Sequence, residues 1–179
     1  EVGKLIRHCG ARHMACDGVL PLPGLDGVTV LGPADITRLK RAAPARYADT
    51  AADDPAYLIF TSGTSGMPKG VLHGQRAVWG RRPMYQGWYG ISPDDVVLHT
   101  GAFNWTYTLG AGLFDPFANG CTSVVYTGDK DIDIWAKLIA GHGVTMMASV
   151  PGIYRLLLRH GFRLAPAGDA GNAGDHRSL

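Results

Sequence analysis

An apolar run, Tyr57-Leu-Ile-Phe60, leads without a break into Thr61-Ser-Gly-Thr-Ser-Gly-Met-Pro-Lys-Gly70, and the apolar pair Val71-Leu72 follows. The run reads as a buried strand. The segment after it cannot continue as regular structure. Between Thr61 and Gly70 stand four hydroxyls (Thr61, Ser62, Thr64, Ser65), three glycines (Gly63, Gly66, Gly70) and one cation, Lys69. Glycines let backbone N–H groups turn inward and approach a ligand closely. Hydroxyls add donors, and a lysine adds a movable point charge. Pro68 fixes φ just before that lysine and stiffens the loop. Such a loop suits an anion with several oxygens, and a polyphosphate above all.

The familiar phosphate loop needs four residues between its first glycine and Gly-Lys-Ser/Thr, followed by a helix. Here Gly63 and Gly66 are three apart and Lys69 precedes Gly70, so that motif is absent. The ordered string Thr61 to Gly70 instead resembles the signature of the adenylate-forming enzymes: acyl-CoA synthetases, luciferases and peptide-synthetase adenylation domains. Ser65 stands where the usual form has threonine, which keeps the hydroxyl.

Composition sets outer limits. The chain has 179 residues, 46% of them apolar and 18% charged, which is globular rather than disordered. A net charge of +2 is too small and too scattered to argue for nucleic acid or a membrane surface. No apolar run approaches the roughly 20 residues of a membrane span. The start carries no apolar h-region of a signal peptide. Because the first residue is Glu1, the chain is expected to be part of something longer. Three cysteines, Cys9, Cys16 and Cys121, leave one unpaired in any disulfide scheme, which favours a reducing cytoplasm. His8, Cys9, His13 and Cys16 cluster, but their spacing fits no familiar zinc pattern.

Along the chain, Val28 to Leu31 reads as a short strand. Asp35 is a candidate N-cap for a helix reaching about Ala42, with Arg38, Lys40 and Arg41 on a solvated face. Pro44 to Pro55 reads as a linker. Gln75 to Tyr89 shows an approximate helical stripe (Val78, Trp79, Met84, Tyr85, Trp88), expected to be core, with a kink at Pro83. Strands are expected at Val96 to Leu98, Thr122 to Tyr126 and Thr145 to Val150. Helices are expected at Trp105 to Phe117, Ile132 to Ala140 (Ile132, Trp135, Leu138 and Ile139 inward) and from Pro151, an N1 proline, to about His160. This alternation argues an α/β fold with a mostly parallel sheet. Sites in such sheets lie at strand carboxyl ends, and the loop after Phe60 is expected at such an end. Three segments result: 1–55, a preceding segment and linker; 56–164, carrying the loop; and 165–179, an irregular tail rich in glycine and alanine.

The family resemblance continues past the loop. Gly101-Ala-Phe-Asn-Trp105 looks like the family's aromatic motif at the acyl pocket. Phe114 to Tyr126 is similar to the next helix–Gly–strand unit of acetyl- and other acyl-CoA synthetases. Val144 to Val150-Pro151, with Tyr154 to Leu157, resembles the strand and helix after that. The likeness covers roughly Ala56 to His160. It implies part of a large amino-terminal domain, which in the family is followed by a small mobile domain.

The resemblance implies an ATP-dependent carboxylic acid–CoA ligase. A carboxylate attacks the α-phosphate of MgATP, and a thiol, usually coenzyme A, then attacks the acyl-adenylate. Phosphate contacts are assigned to Thr61, Ser62, Gly63, Thr64, Ser65 and Gly66, with Lys69 as counter-charge for the leaving pyrophosphate. Thr64 or Ser65 could reach Mg²⁺, and Trp105 would wall the acyl pocket. Nothing positions His73 or His99 as a catalytic base, and they are taken as structural or surface residues. The family's Tyr-Gly-x-Thr-Glu motif has no counterpart, since Glu1 is the only glutamate. Thr127-Gly128-Asp129 spells the ribose tripeptide but stands too early in the order. The family's adenylation lysine belongs to the mobile domain, and Lys137 is the last lysine here. These 179 residues alone are therefore expected to be inactive. A non-catalytic nucleotide-binding remnant, or part of a peptide-synthetase adenylation domain, are the alternative readings.

Overall fold

The computed structural model describes residues 2–18, 26–62 and 68–163. Gly63, Thr64, Ser65 and Gly66, and the tail 165–179, lie outside the described residues.

The chain opens with helix α1, Val2–Cys9. Val2, Leu5, Ile6 and Cys9 fall at helical spacing, and Ile6 is the buried member. Strand β1, His13–Ala15, pairs in parallel with β2, Thr29–Leu31. Helix α2, Pro33–Leu39, follows. Its N-cap is Gly32 rather than the expected Asp35. Asp35 sits one turn in, where its carboxylate accepts from Gly32 N–H at 3.1 Å, so the acid caps from the third helical position.

The glycine-rich segment is held by an antiparallel pair. Strand β3, Pro55–Thr61, runs against β4, Lys69–Gly74, with Leu58 opposite Leu72 and Thr61 opposite Lys69. This corrects the expected placement at the carboxyl end of a parallel strand. The pair is a hairpin, and the segment is its connection. A two-stranded ribbon also hides less than a sheet interior, so only Ile59 of Tyr57–Phe60 is buried. The base of the hairpin is tied to the preceding segment. Gln75 N–H donates to Asp54 O at 2.9 Å, Arg76 N–H to Ala52 O at 2.9 Å, and Arg76 pairs with Asp53 at 2.8 Å.

The expected helix over Gln75 to Tyr89 is broken into pieces. Helix α3, Arg76–Trp79, ends at Gly80. Helix α4, Arg82–Met84, then begins with Pro83 in its first turn and continues as a π-helical segment, Tyr85–Tyr89. The break falls before Pro83, whose ring suits a helix start, where no N–H is needed. Of the aromatic stripe, only Tyr85 is buried. Trp79 and Trp88 are exposed, and Trp79 stacks beneath the Arg82 guanidinium at 3.9 Å.

Strand β5, Val96–His99, is the centre of a parallel sheet. Helix α5, Thr106–Leu109, a π-helical segment, Gly110–Phe114, and helix α6, Asp115–Ala118, form one continuous crossover. It leads to β6, Thr122–Val124, beside β5. Helix α7, Ile132–His142, leads to β7, Met146–Ala148, on the other side of β5. Gly143, at φ 60°, ends α7 in the left-handed region, where a β-carbon is penalised. Helix α8, Pro151–Arg159, closes the described chain.

Successive side chains of β5 point to opposite faces. Val97 joins Tyr85, Ile91 and Cys121 on one face. Leu98 joins Trp135 and Leu157 on the other, with Ile132, Leu138 and Ile139 of α7 packed beside them as expected. One strand thus sits between two cores.

Pro116 interrupts the crossover without ending it. It has no N–H, so an α-helix would leave Gly112 O, four residues back, without its donor. The Ser123 hydroxyl of β6 donates to that carbonyl. Ser123→Ala is expected to leave the carbonyl unpaired and cost about 1–3 kcal/mol, seen as a lower denaturant midpoint. An unchanged midpoint would mean that water replaces the hydroxyl at no cost.

Candidate active site

Two features of opposite chemistry adjoin the crossover helix. The first is the hairpin. Thr61 and Ser62 are exposed at the end of β3, and Lys69 is exposed at the start of β4. The Thr61 hydroxyl donates to Lys69 O at 3.4 Å, so the two ends of the glycine-rich segment are held side by side. Of the predicted phosphate ligands, these three are brought together. Tyr57 and His73 are cross-strand partners and stack at 4.5 Å. The Tyr57 ring also meets Phe114 of the crossover at 5.4 Å, which seats the hairpin against that helix. Burial raises the Tyr57 phenol pKa, so the ring stays neutral.

The second is a half-open cavity of about 220 Å³ on the Val97 face of the sheet. Its aromatic lining is Trp88, Tyr89, Tyr107 and Tyr154, and Val97, Ala111, Met146 and Met147 supply much of the rest. Two of the four polar tips in this aromatic wall are engaged. Tyr89 donates to Asp115 at 2.9 Å, and Tyr154 donates to Met147 O at 2.7 Å. Trp105 is not part of the lining. It is 46% exposed and packs edge-on against Tyr107 at 5.5 Å, so its contact with the cavity is through that ring.

Sequence reasoning missed the polar group behind the wall. Asp115 is fully buried, and its carboxylate takes two bonds of 2.6 Å from Arg81 in a fork geometry. The pairing raises the Arg81 pKa further. The guanidinium lies over Gly110, where a β-carbon would come within 2.4 Å of its carbon, so glycine is required there. The signal was present: a lone acid inside the apolar run Gly110-Ala-Gly-Leu-Phe-Asp115 must have a buried partner.

His99 is also buried, at 5% exposure. Burial, with a smaller contribution from the Lys130 charge, lowers its pKa to about 4, so the imidazole is neutral at physiological pH. Among the described residues there is no cluster of three or more His, Cys, Asp or Glu that could hold a metal, and no helix long and apolar enough to cross a membrane.

Comparison with known proteins gives this arrangement a family. The chain is 35% identical over 121 residues to a 3-hydroxybenzoate–CoA/4-hydroxybenzoate–CoA ligase of Thauera aromatica, covering 68% of this chain and 23% of the relative. It is 31% identical over 114 residues to an acetyl-coenzyme A synthetase of Psychrobacter cryohalolentis, covering 62% of this chain and 17% of the relative. Among solved structures, the Klebsiella oxytoca NpsA N-terminal subdomain in complex with 3-hydroxyanthranilyl-AMSN matches with a TM-score of 0.73 at 27% identity, over 88% of this chain and 40% of that one. The chain therefore spans a quarter or less of the length of these two curated relatives. The model of the AMP-binding enzyme family matches residues 1–178, well beyond the stretch in which motifs are legible by eye, and the chain belongs to that family.

Proposed function

We propose that the polypeptide carrying this chain is an ATP-dependent acid–CoA ligase, and that this chain supplies its phosphate hairpin and one wall of its acid pocket. The observation that carries the reading is Thr61 beside Lys69 at the mouth of the glycine-rich connection, on a hairpin seated against the helix that lines the aromatic cavity. Similarity to acyl-CoA ligases supports the reaction class.

In this reading the Thr61 to Gly66 donors and Lys69 cradle the β- and γ-phosphates of MgATP. They hold the pyrophosphate in line as the acid attacks the α-phosphate. The contribution is positioning and charge stabilisation. Mg²⁺ enters with the nucleotide and neutralises phosphate charge. The acyl body lies in the cavity, whose aromatic and thioether lining suits a small, mainly apolar acid such as an aryl or short-chain carboxylate. Trp105, packed on Tyr107, sets the mouth of that pocket.

The test is acid-dependent exchange of pyrophosphate into ATP by the full-length polypeptide, across a panel from acetate to benzoates, followed by supply of coenzyme A or a carrier-bound thiol. Exchange with thioester formed on coenzyme A supports the ligase. Thioester formed only on a carrier makes it an adenylation domain, and no exchange with any acid makes it a nucleotide-binding remnant. In the same assay Trp105→Ala is expected to shift preference among acids by about tenfold, while the KM for ATP changes less than twofold. Lost ATP binding with unchanged preference would make Trp105 a packing residue.

A further inference from the structure

His99 is the last residue of β5, on the face that carries Val97 and the cavity. The chain turns there into Gly101–Trp105. Thr100 N–H donates to Ala148 O at 3.3 Å, and three further bonds fix this exit. Gly101 N–H donates to His99 Nδ1 at 3.0 Å, Lys130 Nζ donates to Thr100 O at 3.1 Å, and the Thr100 and Ser149 hydroxyls meet at 2.5 Å. Because Nδ1 accepts, the neutral ring carries its proton on Nε2. The ring meets Tyr107, a wall of the cavity, in an edge-on contact at 4.7 Å.

The space around the ring is cut to fit it. A β-carbon on Gly112 would come within 2.7 Å of the His99 Cβ. One on Gly101 would come within 3.0 Å of His99 Cε1 and 2.2 Å of the Thr108 hydroxyl. Two glycines, from the turn and from the crossover helix, thus leave room for one imidazole. His99 Nε2 and Thr108 Oγ1 have no hydrogen-bond partner among the described residues. A histidine kept only for packing could be replaced by an apolar ring without leaving such an orphan. What His99 offers that an apolar residue lacks is the acceptor for Gly101.

We propose that His99 is a positioning residue for the acid pocket: its Nδ1 holds the Gly101 turn, and its ring holds Tyr107 against the cavity. Without the acceptor the Gly101 N–H has no partner, the turn relaxes, and Tyr107 loses its backing. The reach of this inference rests on the ligase reading, because a positioned pocket matters only where an acid binds. The hydrogen bond and ring contact of His99 go to Gly101 and Tyr107 and not to the hairpin, so the effect is expected on the acid and not on ATP.

The test uses the full-length polypeptide with His99→Leu and His99→Asn. Asparagine can place an acceptor oxygen where Nδ1 lies, whereas leucine fills space and accepts nothing. In pyrophosphate exchange, His99→Leu is expected to raise the KM for the acid about tenfold, the size of one lost buried hydrogen bond, with the KM for ATP within twofold of the parent. His99→Asn is expected to recover most of that loss. Hydrogen–deuterium exchange of the 99–105 peptide gives a readout that needs no activity: faster in His99→Leu, close to the parent in His99→Asn. Leucine and asparagine variants that behave alike in both assays would overturn the proposal, as would equal rises in both KM values. If the parent shows no exchange with any acid, the ligase reading falls, and the peptide's exchange rate still decides whether His99 holds the turn. Should His99→Leu not fold, His99→Asn with parental KM and parental peptide exchange supports the acceptor role, and a raised acid KM in it counts against that role.

Discussion

Lys69→Ala in the full-length polypeptide is expected to lower acid-dependent pyrophosphate exchange by ~10²–10³-fold, the usual cost of losing one donor aimed at developing charge. Lys69 is the first residue of β4 and stands opposite Thr61, so its ammonium leaves the hairpin at the mouth of the glycine-rich connection. It is exposed and pairs with no acid among the described residues, which leaves the charge available for a phosphate. Lys69→Arg keeps the charge but changes its shape and is expected to recover only part of the rate. The loss should appear chiefly in kcat, since the contact strengthens as the pyrophosphate departs. Exchange within twofold of the parent would remove Lys69 from the reaction.

Asp115→Asn is expected to destabilise the protein by about 3–5 kcal/mol, because it leaves a largely buried guanidinium without its counter-charge. Arg81 is only 22% exposed and Asp115 is fully buried, so water can compensate little. The loss should also reach the cavity. Tyr89 lines it, and its hydroxyl is held by Asp115. The paired replacement Arg81→Met with Asp115→Leu removes both charges and is expected to regain much of the stability without restoring the Tyr89 anchor. Denaturant midpoints of the parent and the two variants check this. A single Asp115→Asn within 0.5 kcal/mol of the parent, on the order of a surface substitution, would show that solvent reaches the pair.

Much of the secondary structure was legible because its signals are local. Pro151 opens α8, and the stripe Ile132, Trp135, Leu138, Ile139 faces the core, as periodicity requires. Helix α1 carries an equally local signal in Val2, Leu5, Ile6 and Cys9, which went unread. Gln75 to Tyr89 misled because apolar spacing does not say where a helix breaks. Gly80 ended it three residues before the proline that seemed to be the cause.

The sequence by itself determined the family and, from β5 onward, the order of elements. The signature is a contiguous string, and its hydroxyls, glycines and lysine are recognised without knowing what they pack against. Strand partners were beyond it. An apolar run of four residues is compatible with a parallel interior or an antiparallel ribbon, and only tertiary pairing made Tyr57–Phe60 the latter. Arg81 finding Asp115 across 34 positions, and His99 fitting between Gly101 and Gly112, were likewise decided by the fold. The physical reason is the same in each case. Burial and hydrogen bonding act between groups close in space, and the chain brings these groups together only after its strands have chosen their neighbours.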